Sequence, residues 1–155
     1  MLKDKISWCL KDERRVKRIS FSDDLSQEHI KKAKHNLHAA DYNLQGGFDD
    51  WVISQIYYAV YHSLLAILFK KGFELKNHEC TITLIEEMIL TKQINLTEED
   101  ISFIRTTEQM TPKDAKSLRE EFQYGIKTKV DKILLLTLIK KSKEIVEKVE
   151  IDLNK

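Results

Sequence analysis

Apolar residues recur along most of this chain at the three- and four-residue spacing of a helix, and seldom at the alternation of a strand. Ile30, Ala33, Leu37, Ala40 and Leu44 form one such stripe. They predict an amphipathic helix that begins at Ser26, a plausible N-cap, and ends at Gly46-Gly47. The next stretch, from a cap at Asp49 or Asp50 to about Phe69, is apolar on two faces. Ile53, Ile56, Tyr57, Val60, Leu64 and Ile67 make one stripe, and Tyr58, Tyr61, Leu65 and Phe69 make a second. A helix with two apolar stripes must be covered on most sides, so this one is expected at the centre of the fold. The short loop before it makes the two helices antiparallel neighbours.

Gly72 breaks the central helix. Asn77 can cap a helix from His78 to about Leu90, and Thr97 with Asp100 forms a capping box for one near Glu98 to Gln109. Thr111-Pro112, with Asp114 following, restarts a helix that ends near Tyr124-Gly125. The last helix begins around Ile126 and runs to Asp152. Its seam is Ile126, Val130, Ile133, Thr137, Leu138, Ile145 and Val149, flanked by Leu135, Ile139 and Val146. So long a seam leaves an excess that can pack on a second copy. The predicted fold is all-α: an antiparallel four- to five-helix up-and-down bundle with short extra helices. Residues 1–24 form an N-terminal arm and residues 25–155 a single helical domain.

Composition agrees with this pattern. One proline and four glycines are too few for a barrel or sandwich of many tight turns. The net charge of +1 excludes a grossly basic nucleic-acid coat, although charge is segregated: roughly +4 to residue 38, roughly −6 to Ile126 and roughly +3 beyond. The arm ends in a basic turn of Lys11, Arg14, Arg15, Lys17 and Arg18, read either as a solvated, mobile end or as a phosphate-contacting arm. Cys9 and Cys80 are far apart and lack metal-binding spacing, which suits a reducing cytoplasm. No signal-peptide pattern opens the chain, and the purely apolar runs fall short of the roughly 20 residues of a membrane span. A soluble cytoplasmic protein with no membrane partner is expected.

Candidate chemistry concentrates near the central helix. His62, beside Tyr58 and Tyr61, reads either as a packed core histidine or as the polar lining of a groove between helices. Asn77 and His78 open a helix, where they either cap it or attract an anion. His29 reads as a surface residue in a first turn. His35, His38 and Asp41 drift round one helix face and find no further ligands, so no metal and no cofactor are expected. No nucleophile elbow, Gly-rich phosphate loop or Gly-Ser with paired aspartates is present, and no catalytic set is visible.

These residues carry a resemblance. Tyr57-Tyr58-Ala59-Val60-Tyr61-His62, Leu65-Ala66, Gly72 and Asn77-His78, followed by Arg119-Glu120-Glu121-Phe122-Gln123-Tyr124-Gly125, resemble the HEPN domain, and in particular its uncharacterised prokaryotic members. The resemblance covers roughly residues 25 to 150. It implies an antiparallel helical bundle, often a homodimer, associated with nucleotide or RNA binding. Many members are metal-independent ribonuclease toxins, often beside a small nucleotidyltransferase, with an Arg and, four to six residues on, a His forming the site across the dimer. Here no histidine follows Arg105 or Arg119, and Tyr124 stands where an active relative has His. A phenol with a pKa of about 10 is a poor general base at neutral pH. The resemblance therefore implies a non-catalytic or degenerate HEPN protein: a dimeric module binding a nucleotide, RNA or a partner protein. Its cleft would be lined by Tyr58, Tyr61, His62, Asn77, His78, Arg119 and Tyr124. One alternative is a ribonuclease toxin using His62 or His78 with Arg119 in a rearranged site. The other is a structural partner of a minimal nucleotidyltransferase with the aromatics buried.

Overall fold

A computed structural model describes residues 1–110 and 131–155. The expected helix after Pro112, Arg119, Tyr124 and the opening of the last helix at Ile126 lie outside the described residues.

Helix α2 (Asp23–Gln45) starts earlier than its apolar stripe suggests, because Ser22 is the cap: its hydroxyl accepts the Leu25 N–H at 3.1 Å. Ser26, expected to be that cap, is instead buried and donates its hydroxyl to the Ala66 carbonyl at 2.8 Å. That bond pins α2 to α3 (Asp49–Lys71). Further pairs, His29 with His62 and Asn43 with Gln55, set the two helices antiparallel, as the short Gly46-Gly47 connection requires.

Helix α3 is the core of the bundle. Val52, Ile56, Ala59, Val60, Leu64, Ala66 and Leu68 lose all contact with water, each large side chain contributing about 1.5–3 kcal/mol. By length and composition α3 is long and apolar enough to cross a bilayer, which the short purely apolar runs had not suggested. In this fold the other elements cover it. It ends at Gly72, in the left-handed region at φ 91°, as the break at that glycine implies.

Beyond Gly72 the chain forms a feature that hydrophobic periodicity did not reveal. Strand β1 (Val16–Arg18) pairs antiparallel with β2 (Phe73–Leu75), Val16 facing Leu75. Three residues are too few for alternation to register. The ribbon docks the N-terminal arm, whose helix α1 (Leu2–Leu10) lies on α4 (His78–Leu90). Cys9 and Cys80 are joined there in a disulfide, with Cα atoms 5.7 Å apart. The two thiols read from the sequence are thus one bond, invisible beforehand because only the folding-back of the arm brings partners 71 residues apart together. Two residues of the arm's basic turn, Arg14 and Arg15, are committed within the arm. The Arg15 guanidinium lies 3.8 Å from the Trp8 ring centre and donates to its carbonyl, and Arg14 pairs with Asp12 at 2.7 Å.

Helix α4 is capped by Asn77, which accepts the Cys80 N–H at 3.0 Å. Helix α5 (Glu98–Met110) opens on the expected capping box: the Asp100 N–H donates to Thr97 Oγ1 at 3.2 Å and the Thr97 N–H to Asp100 Oδ2 at 3.0 Å. Burial alone would raise the Asp100 carboxyl pKa. Hydrogen bonds from Lys141 and Lys148, on α6 (Lys132–Leu153), outweigh it and lower the pKa. The expected seam and flank of α6 are buried at Leu135, Leu138, Ile139, Ile145, Val146 and Val149, but its opening turns differ, with Ile133 77% exposed and Thr137 exposed. With the first turn set by Asp131, whose carboxylate accepts the Ile133 N–H, Leu135, Leu138 and Ile139 face α3.

Candidate functional site

The side of α3 facing α2 is not wholly closed. Trp51, Gln55, Tyr58 and His62 lie at four- and three-residue intervals and make a polar and aromatic stripe along an otherwise apolar helix. Opposite them α2 presents Lys32 and Asn36. Together with Ser54 they line a groove of about 280 Å³. Trp51 is 45% and Tyr58 40% exposed, so both aromatic side chains are partly accessible along the groove. The Asn36 Nδ2 is buried and has no hydrogen-bond partner among the described residues. A buried amide donor without a partner costs about 1–3 kcal/mol, which a ligand acceptor in the groove would recover.

His62 forms one end of the groove. Its Nδ1 lies 2.9 Å from the Nδ1 of His29, whose ring also stacks on Phe69. The short contact requires one ring to donate and the other to accept. Burial, then the neighbouring His29 and Lys32, push the His62 pKa down to about 4, and burial lowers that of His29 as well. His62 is therefore a neutral hydrogen-bonding group at neutral pH. The reading of His29 as a plain first-turn surface residue is corrected: it is half-buried and holds His62 in place. Both folded values lie below the 6.5 of a free imidazole, so in acid the unfolded chain takes up protons first. This contribution is complete above pH 6.5 and is lost as pH falls towards 4. Thermal melts should therefore show a fall in Tm over that window that His62→Gln reduces. Equal slopes for the two proteins would contradict the assignment.

The other sequence candidates lie on a second face of α3. Tyr61 is 7% exposed, and its hydroxyl meets Thr81 Oγ1 at 3.1 Å. Exposed His78 stacks on Tyr61 with ring centres 4.3 Å apart, and its Nδ1 meets the Tyr57 hydroxyl at 3.1 Å. Burial, followed by the charge of Glu108, raises the Tyr57 phenol further above its usual range, so these tyrosines stay protonated. The Asn77 side chain is occupied as the cap of α4. The structure thus brings Tyr58 and His62 to one groove and places Tyr61, Asn77 and His78 in an adjoining cluster. Arg105 is held by Glu86 at 2.7 Å and Glu79 at 3.4 Å. Asp41 pairs with Lys143, away from any metal set, and no group of three ligating side chains converges among the described residues.

Lys32, Asn36, Trp51, Ser54 and Gln55 were not singled out from the sequence. A signal was present in the polar stripe of α3 and in the matching positions 29, 32 and 36 of α2, each at helical spacing.

A helical bundle built on a covered tyrosine-rich helix, followed by Gly72 and Asn77-His78, defines a class. The HEPN domain family profile matches residues 26–152, and the chain belongs to that family. It is similar to a UPF0332 protein of Archaeoglobus fulgidus, 31% identical over 126 residues that span 81% of this chain and 93% of the relative.

Proposed function

We infer that this HEPN protein is a non-catalytic binding module that holds single-stranded RNA or a nucleotide in the groove between α2 and α3. The carrying observation is that two partly exposed aromatic side chains, Trp51 and Tyr58, line one groove with Asn36, whose buried Nδ2 finds no acceptor among the described residues. Unstacked bases are recognised by such platforms, with amide, hydroxyl and imidazole groups reading base edges and a cation beside the phosphate. Asn36, Gln55, Ser54 and neutral His62 supply the first set, and Lys32 the cation. With a pKa of about 4, His62 is a poor proton donor at neutral pH, which supports binding without cleavage.

The exposed Ile133, Leu134 and Leu136 on α6 suit a homodimer. A small nucleotidyltransferase as partner rests on the family resemblance. The proposed compartment is the cytoplasm, on the family resemblance alone, because the Cys9–Cys80 bond removes the argument for a reducing compartment drawn from two free thiols.

Calorimetric titration with a short single-stranded RNA tests the reading. Stacking contributes about 1–3 kcal/mol per base, so Trp51→Ala with Tyr58→Ala should weaken binding by roughly 30-fold or more. His78→Ala should leave it within about twofold. Equal affinity of the double variant and the native protein would reject the groove.

A further inference from the structure

At the opposite end of α3 from the groove, a cavity of about 820 Å³ opens where α3, α4 and α6 all terminate. Its floor is apolar, with buried Ile67, Leu96 and Leu153. Its walls carry Lys70, Lys71, Lys92 and Lys155 against Asp152 alone.

Lysines at helix C-termini ordinarily offset the negative end of the dipole. Here there are more than that role needs. Three helix ends, each with about half a negative charge, and the one carboxylate of Asp152 face four lysine side chains. Lys70 donates to the Leu153 carbonyl and Lys155 pairs with Asp152. The ammonium groups of Lys71 and Lys92 make no hydrogen bond or ion pair with the described residues.

The backbone at Lys92 points the same way. It sits at φ 57°, the left-handed position that closes α4. The Lys92 N–H donates to the Ile89 carbonyl at 3.1 Å, and the Gln93 N–H to the Met88 carbonyl at 2.8 Å. Glycine adopts this conformation without cost and any other residue adopts it under strain. A lysine there trades backbone economy for an ammonium group at the cavity wall.

We propose that this cavity is a second binding site, for a small phosphomonoester carried on an apolar body. Its doubly charged head would lie against Lys71 and Lys92 and its body on the isoleucine and leucine floor. The site is separate from the groove between α2 and α3 and does not depend on it.

The test is an amide chemical-shift titration of the full-length protein with 1-naphthyl phosphate, set against inorganic phosphate and 1-naphthol. Saturable shifts are expected at Lys71, Lys92 and Asn95, with either fragment alone binding at least about tenfold more weakly. Lys92→Gly should raise Tm by a few degrees and yet weaken binding roughly fivefold, and Lys71→Ala should weaken binding comparably with Tm unchanged. Opposite signs for stability and affinity at Lys92 are not expected of a lysine that only complements the dipole. The proposal is overturned by any of three results: no shifts at about 5 mM ligand, shifts confined to the groove between α2 and α3, or binding that both variants leave intact.

Discussion

Replacing Cys9 and Cys80 together by serine is expected to lower the unfolding free energy by about 2–4 kcal/mol, and Tm by roughly 6–12 °C. The bond closes a loop of 71 residues, which holds β1, α2, the whole of α3 and β2. Cross-linking so long a segment removes much of the freedom of the unfolded chain. In the folded state the bond is also the firmest attachment of α1. Without it, α1 keeps the weak Lys5–Glu79 ion pair at 3.6 Å, the packing of half-buried Ile6 and the three-residue ribbon of β1 with β2. Amide exchange in residues 2–18 should accelerate more than exchange in α3. Tm values within about 1 °C of each other would show that the arm is held by packing alone.

Gly72→Ala should cost a further large amount, about 2–4 kcal/mol, for two separate reasons. Its φ of 91° is left-handed, where a Cβ crowds the backbone. An added Cβ would also stand 2.9 Å from the Ile19 carbonyl oxygen. That carbonyl cannot retreat cheaply, because the Ile19 N–H donates to the Gly72 carbonyl at 2.9 Å. Gly47 provides the control: it too is left-handed, at φ 82°, but a Cβ there meets nothing within 4 Å. Denaturant unfolding should therefore rank Gly72→Ala well below Gly47→Ala. Equal losses would mean that strain alone matters and that the contact with the arm does not.

The bundle was legible in the sequence because burial on helices leaves a period. The stripes of α2 and α3, the capping box at Thr97 and Asp100, the Asn77 cap and the stop at Gly72 each rest on residues within a few positions of one another. What escaped depends on distant parts of the chain. The ribbon joins residue 16 to residue 75, the disulfide joins residue 9 to residue 80, and His29 meets His62 across two helices. Ser26 looked like a cap because serine favours that place, but the structure uses its hydroxyl to let α2 approach the Ala66 carbonyl. The site was half legible for the same reason. Tyr58 and His62 stood out as chemistry on a core helix, whereas Lys32 and Asn36 gain meaning only once α2 lies against them.

Photo-crosslinking tests the groove most directly. A 4-thiouridine oligonucleotide of about ten bases would be irradiated with the protein at neutral pH and the modified peptide sequenced, since bases stacked on aromatic rings bring the probe into contact with them. Binding in the groove between α2 and α3 predicts adducts within residues 51–62, at Trp51 or Tyr58, that disappear when both are replaced by alanine. Adducts found only outside that segment and α2, or no saturable complex, would contradict it.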